Sequence, residues 1–429
     1  MLLLALAAAL ASAEGAPVSL PQVEVIGERR ALAGEETLAT DDLRAPVAGD
    51  LAELLRAVNG VSAGRMGGHG LEPVIRGQSQ GQLNVRLDGG LVMGACPNRM
   101  DPPTSFAVAA GVDRVTVIKG VQSLAYGTGG TGGTVLIERE LPWSATPGTS
   151  FRAGAAAGDN GLQWRADSQL LWRGERAAPR LDANTARFDD YADGDGEAVR
   201  SGFRRRSLHL LTGRDFGDAG TWELGVERAE TLDARFAGAG MDAPLDRMTG
   251  VRVAHRRELG AWSLAARAWR NEVDHVMDNF SLRPQTAMAL RVPAESDTQG
   301  ADLRLDTQRG DWSLALGLDL GSNRRQATRF AGPQPASLVT VNAFLWPDAR
   351  MDQAGAFGEA TRTTDAGSAT IGLRVDRFRA QARRADLRPS PMAVPPSALY
   401  AMYYGASNDR WGDTGVSGLL HWEQPLAKG

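Results

Sequence analysis

From residue 150 onward the sequence alternates. In GLQWRADSQLLWRG, Leu162, Trp164, Ala166, Ser168, Leu170 and Trp172 share one parity, and Gln163, Arg165, Asp167, Gln169 and Arg173 hold the other. Successive side chains of an extended strand point to opposite faces, so this spacing predicts a strand with one apolar and one charged face. Its length of about eleven residues is what a tilted strand needs to cross the hydrocarbon of a bilayer, and tryptophan stands near both ends, where membrane interfaces favour it. About twelve such segments can be counted between residues 150 and 424.

A soluble sandwich also alternates, so the connections decide between the two. Short turns (DFGDAGTW, LGAW, QRGDW, TDAGS) recur, and longer polar stretches lie between them near 231–249, 275–298, 322–352 and 379–412. Short turns at one rim and long loops at the other are the asymmetry of a bacterial outer-membrane barrel. The expected fold class is mainly β: an antiparallel outer-membrane β-barrel over residues 141–429, preceded by an α+β domain over residues 37–140. The sequence stops in HWEQPLAKG, at what the alternation makes a short turn, without a last strand closing on an aromatic residue. The expectation is an incomplete barrel.

Residues 1–13, MLLLALAAALASA, read as a secretory signal peptide, an apolar run closing on Ala-Ser-Ala. They are too few for a membrane-spanning helix, which needs about 20 apolar residues. Residues 14–36 read as a leader. The net charge of −4 gives no basic footprint for nucleic acid. In DLAELLRAVNGV, Leu51, Leu54, Leu55 and Val58 fall at helical spacing, with Asp50 as N-cap and Gly60 as stop. Short strands are expected within 73–77, 83–90, 112–120 and 132–140.

The segments VEVIGER (23–29), LAELLRAVNGV, VIRG, LDGG and VDRVTVIKGVQSLAYGTGGTGGTVLIERE (112–140) together resemble the TonB box and plug domain of TonB-dependent outer-membrane receptors. The resemblance covers about residues 23–140. It implies that Val23, Glu24, Val25, Ile26 and Gly27 form a TonB box, a β-prone segment able to add to the sheet edge of TonB. It also implies transport energised through TonB, with outer-membrane lipid around a barrel of which about ten strands are not present. The leader of roughly 20 residues ahead of the plug leaves no room for a signalling domain, so transport without transcriptional signalling is expected.

Within that family, GACPNRMDPPTS looks like the copper receptor branch, whose site is described as Cys-x-x-x-Met in the plug and His-x-Met in the barrel. The chain has a single cysteine, Cys96, with Met100 four residues on, and the only His-x-Met is His275 and Met277. The resemblance therefore implies four metal ligands: Cys96, Met100, His275 and Met277. Their chemistry agrees, because thiolate and thioether sulfurs are soft donors that select Cu(I), whereas calcium and magnesium want oxygen. His275 and Met277 share a parity with Ser263, Arg267 and Asn271, opposite Trp262, Leu264 and Ala266, which assigns them to the lumen near the long-loop rim. Cys96 and Met100 converge if their loop makes a helical turn, with Pro97, Pro102 and Pro103 restricting it.

Each signal has a plainer reading. A lone cysteine is usually a small buried hydrophobe, and Met277 can simply fill a gap. Met66 and His69 in RMGGHG read as exposed residues of a glycine-rich loop, with extension of a copper path as the alternative reading. The glycines of YGTGGTGG are followed by no Lys-Ser/Thr and read as backbone room, not a phosphate loop. No nucleophile elbow, HExxH or framed carboxylate pair is present, so an enzyme is not expected. Two alternatives to copper transport stay open: a receptor of the same fold for a siderophore or other metal chelate, and a truncated, non-transporting remnant.

Overall fold

Twelve strands, from Gly148–Ala157 to Arg410–Glu423, form one sheet in which each is hydrogen-bonded to its neighbours in sequence, antiparallel throughout. The computed structural model describes residues 34–39, 50–127, 130–143, 146–285 and 288–424. Among these, the first and last strands of the sheet are not paired with each other. The short pair Tyr191–Ala192 and Ala198–Val199 makes a separate ribbon. The expected barrel wall is thus present as an open arc. The signal peptide and the segment Val23, Glu24, Val25, Ile26 and Gly27 lie outside the described residues.

Alternation sorts the two faces of this wall. Leu316, Leu318 and Leu320 on one strand and Ile371, Leu373 and Val375 on another stand exposed on the outer face. Trp172, Trp222, Trp262, Trp312 and Trp422 each occupy one of the two strand residues nearest a short turn or the chain's last strand end, aligned as a girdle. The turns at 216–220, 260–261, 310–311 and 365–366 fall where the sequence places them.

Three of the four long loops are shorter than expected. The strands Ala289–Arg309, Trp312–Gly332 and Thr340–Thr364 run for 21, 21 and 25 residues, well beyond the ~10 that cross a membrane. Polar side chains do not end a ladder when both strands continue together: Glu295 pairs with Gln326, and Asp297 with Arg324. Three of the four polar stretches expected as loops are therefore largely strand, leaving connections such as 235–241 and 333–339; the fourth holds the long connection 383–409, with the helix Pro396–Tyr404, as expected.

The N-terminal domain contains a five-stranded mixed sheet in the order Glu35–Ala39, Arg114–Ile118, Gly133–Glu138, Leu83–Leu87, Gly90–Leu91. Leu83–Leu87 and Gly133–Glu138 run parallel. Val85, Val115, Val117, Val135 and Ile137 are buried in its core, each contributing about 1.5–3 kcal/mol by leaving water. The expected helix is a single short segment, Leu51–Leu55. Asp50 stands at its N-cap without capping it; the carboxylate instead accepts the amides of Gly70 and Leu71, both at 3.0 Å.

The plug lies against the lumen face of the wall, and charged groups join the two. Arg139 bridges Asp88 in the plug and Glu227 in the wall, at 2.6 and 2.8 Å. Asn271 donates to the Leu91 carbonyl at 3.1 Å. Arg374, fully buried, donates to the Leu124 carbonyl at 3.1 Å, while Glu359 accepts from the Ser123 hydroxyl and the Leu124 amide.

Candidate metal centre

The plug's contribution is a loop held by its own backbone. Cys96, Pro97, Asn98 and Arg99 make a β-turn closed by the Arg99 amide donating to the Cys96 carbonyl at 3.0 Å. Proline suits the second position of such a turn because its φ is already set. Arg99 takes a left-handed φ of 60° and is tied by its guanidinium to Glu72 at 2.8 and 3.2 Å. The Asp101 carboxylate accepts the amides of Ala95 and Cys96, at 2.5 and 3.0 Å. A β-turn, not the expected helical turn, therefore reverses the chain between Cys96 and Met100; proline at 97, 102 and 103 disfavours continued helix. Both side chains are buried in the same apolar cluster.

The wall's contribution comes from the strand Trp262–Asp278. Asn271, Val273, His275 and Met277 are buried while Arg270, Glu272 and Asp274 between them are exposed, so the parity read from the sequence is the observed one. Met277 joins the cluster that holds Cys96 and Met100. Its Sδ lies 3.7 Å from the Cys96 Sγ. A metal–sulfur bond of about 2.3 Å puts two tetrahedral ligands roughly 3.8 Å apart, so an ion fits this pair without moving either sulfur far. His275 is 1% exposed, and neither ring nitrogen has a hydrogen-bond partner. A buried polar group left so costs about 1–3 kcal/mol, a cost that a bound ion would remove. The Cys96 thiol is an electrostatic neighbour of this imidazole.

Around the four expected residues stands a polar group that sequence reasoning alone does not assemble. Asp246 is the register partner of His275 on the adjacent strand, its Oδ1 3.5 Å from Nδ1. Asp101 Oδ2 is 4.0 Å from the same nitrogen. Burial pushes the Asp101 carboxyl up; His275 opposes this and the Asp246 charge adds to it. His69, expected to be exposed, is buried at 1%. Its Nε2 meets Asp246 Oδ2 at 3.2 Å and its Nδ1 meets Arg205 Nη2 at 3.0 Å. Arginine only donates, so Nδ1 accepts and Nε2–H donates to Asp246. Met66, by contrast, is exposed as expected, at 43%. The glycines around His69 carry the signal that points to its burial. A Cβ at Gly68 would lie 1.9 Å from the Ser201 carbonyl oxygen and one at Gly70 2.0 Å from that of Met100, so RMGGHG is a point of close backbone approach and not a free loop.

A plug seated on the lumen face of an antiparallel wall with an outer apolar band defines an outer-membrane plug-and-barrel protein. Residues 29–134 match the family model described as TonB-dependent Receptor Plug Domain, and the chain is an outer-membrane protein. Among solved structures it is similar to the copper transporter OprC, at 28% identity and a TM-score of 0.79, over 92% of this chain and 61% of that one. It is also similar in fold to the ferric citrate transporter FecA, at 13% identity and TM-score 0.65, over 81% of this chain and 56% of that one. The FrpB iron transporter from Neisseria meningitidis matches at 16% identity and TM-score 0.64, over 90% of this chain and 60% of that one. The chain thus spans under two thirds of each of these three structures. No curated protein sequence matches it significantly.

Proposed function

We propose that this chain is the plug and part of the barrel of a TonB-dependent outer-membrane copper transporter that takes the ion at Cys96, Met100, His275 and Met277. The observation that carries the reading is the 3.7 Å approach of a plug thiol to a wall thioether, beside a buried imidazole with both nitrogens unpartnered. Two thioethers, a thiol and an imidazole favour Cu(I) among biological ions. The similarity to a copper transporter points the same way. An ion held between plug and wall would be released inward when TonB, engaging Val23, Glu24, Val25, Ile26 and Gly27, disturbs the plug. No enzymatic step enters this reading.

Several structural relatives are iron transporters, among them FrpB and FecA, which keeps a chelate receptor as the second reading. The four donors favour the first, because all are buried and the 3.7 Å between Cys96 Sγ and Met277 Sδ suits a bare ion. The test is metal analysis of the full chain purified with Cu(I) under reducing conditions, beside Cys96→Ser and Met100→Ala. One copper per chain, lost in both variants, is the expected result. Copper content indifferent to both substitutions would overturn the assignment.

A further inference from the structure

We infer that His275 belongs to a second donor set, with Asp101 and Asp246, that binds a divalent cation of borderline hardness such as Zn²⁺ or Cu²⁺. The inference rests on the copper reading only for the identity of the soft neighbours. One oxygen from each aspartate and one His275 nitrogen lie within 4.8 Å of one another, all three residues buried. Ligands at about 2.0–2.1 Å around a tetrahedral ion stand roughly 3.3–3.4 Å apart. The observed 3.5 Å from His275 Nδ1 to Asp246 and 4.0 Å to Asp101 need only a small inward movement to reach that spacing.

Two further observations point to a ligand here. His275 is 1% exposed with Nδ1 facing the carboxylates and no hydrogen-bond partner on either nitrogen, and Asp246 Oδ1 is also unpartnered. The other Asp246 oxygen is taken by His69, while Asp101 Oδ2, the oxygen nearer His275, accepts two amides of its loop that hold it in place. Two carboxylates sealed from water also call for positive charge between them, which a dication supplies in full. Imidazole serves either copper oxidation state, but two carboxylates beside it, with no sulfur in the set, suit Zn²⁺ or Cu²⁺ over Cu(I).

The two sets meet at one side chain. Nδ1 faces the oxygens, and Nε2 is the nitrogen left for the sulfurs. One imidazole therefore stands between a hard station and a soft one.

The probe is Zn²⁺, which undergoes no redox change, added to the full chain in detergent, with the sulfur pair in contact across plug and wall removed in a Cys96→Ser, Met277→Leu double variant; the remaining thioether, Met100, is a weak ligand for Zn²⁺. The expected result is one Zn²⁺ per chain by equilibrium dialysis, with an X-ray absorption first shell of nitrogen and oxygen only. Adding Asp246→Asn, or separately Asp101→Asn, should weaken binding at least tenfold while circular dichroism and heat-modifiability stay those of the double variant. Absence of Zn²⁺ from the folded double variant, or affinity unmoved by both asparagine substitutions, would overturn the inference. Cu(I) retention by the unsubstituted chain reports on the soft site separately, so either reading can fail alone.

Discussion

The Sγ of Cys96 and the Sδ of Met277 lie 3.7 Å apart across the boundary between plug and wall, 181 residues apart in sequence. The contact ties ligand binding to the seating of the plug, because any shift of the loop 94–101 against the strand Trp262–Asp278 separates them. Sulfur contacts of this kind also serve as ordinary packing, so substitutions must separate the donor from the volume it fills. Met277→Leu keeps about the same bulk and should cost less than about 1.5 kcal/mol of stability. Met277→Ala leaves a cavity and should cost about 2–5 kcal/mol. Both should lower Cu(I) affinity, measured by competition with a chelator, whereas only the alanine variant should lower the melting temperature markedly.

Gly94 is where the loop has no room to change. A Cβ there would stand 2.2 Å from the Asp101 carbonyl oxygen and 2.5 Å from its Oδ1, the carboxylate that holds the Ala95 and Cys96 amides. Gly94→Ala should therefore displace Cys96 and reduce Cu(I) affinity by an order of magnitude or more, as losses of supporting contacts around a metal do (about 10–100-fold). The sheet of the wall should be untouched, so heat-modifiability on gels is the control; unchanged copper affinity would show that the loop does not position the thiol.

How much of this is legible in the sequence depends on the range over which each signal acts. Alternation is local, and the residue pattern by itself assigns Asn271, His275 and Met277 to the lumen face. Turn chemistry is local too, which is why the short turns can be placed from sequence while strand ends beyond the bilayer cannot: polarity marks water, and a ladder can continue into water. Asp246 carries no such mark. Nothing in DRMTG distinguishes it from any lumen aspartate until register sets it opposite His275. His69 reads as exposed for a related reason, since its burial comes from the wall residues Arg205 and Asp246 closing over a loop that looks open in isolation.

The pair Asp88 and Arg139 supplies a prediction about pH. Burial alone would push the Asp88 carboxyl up, but Arg139, and then Arg252, hold it well below the usual carboxylate range. A depressed folded value means the stabilisation is fully present above the unfolded value of about 3.9 and is lost as pH falls through the folded one. Plug docking, followed by limited proteolysis, should therefore be flat from neutral pH down to about 4 as far as this pair is concerned and weaken only in stronger acid. Asp88→Asn leaves Arg139 facing Glu227 alone and strips a buried charge of one counter-ion, a change that costs about 3–5 kcal/mol in comparable pairs. The variant should expose plug cleavage sites at neutral pH.

The outer face provides the last test, of the membrane assignment itself. Leu318 is exposed at 56% on the strand Trp312–Gly332, six residues from the girdle tryptophan at the short turn, with Leu316 and Leu320 beside it on the same face. At about 3.3 Å per residue along a strand tilted near 40°, that is roughly 15 Å above the girdle, close to the middle of an apolar band about 25 Å tall. An arginine at midplane costs about 2–4 kcal/mol, falling toward zero near the interfaces. Leu318→Arg should therefore impair folding into lipid vesicles by that amount, while Ser322→Arg, higher on the same face, should cost at most about 1 kcal/mol. Equal effects at the two positions would mean that this face does not meet lipid.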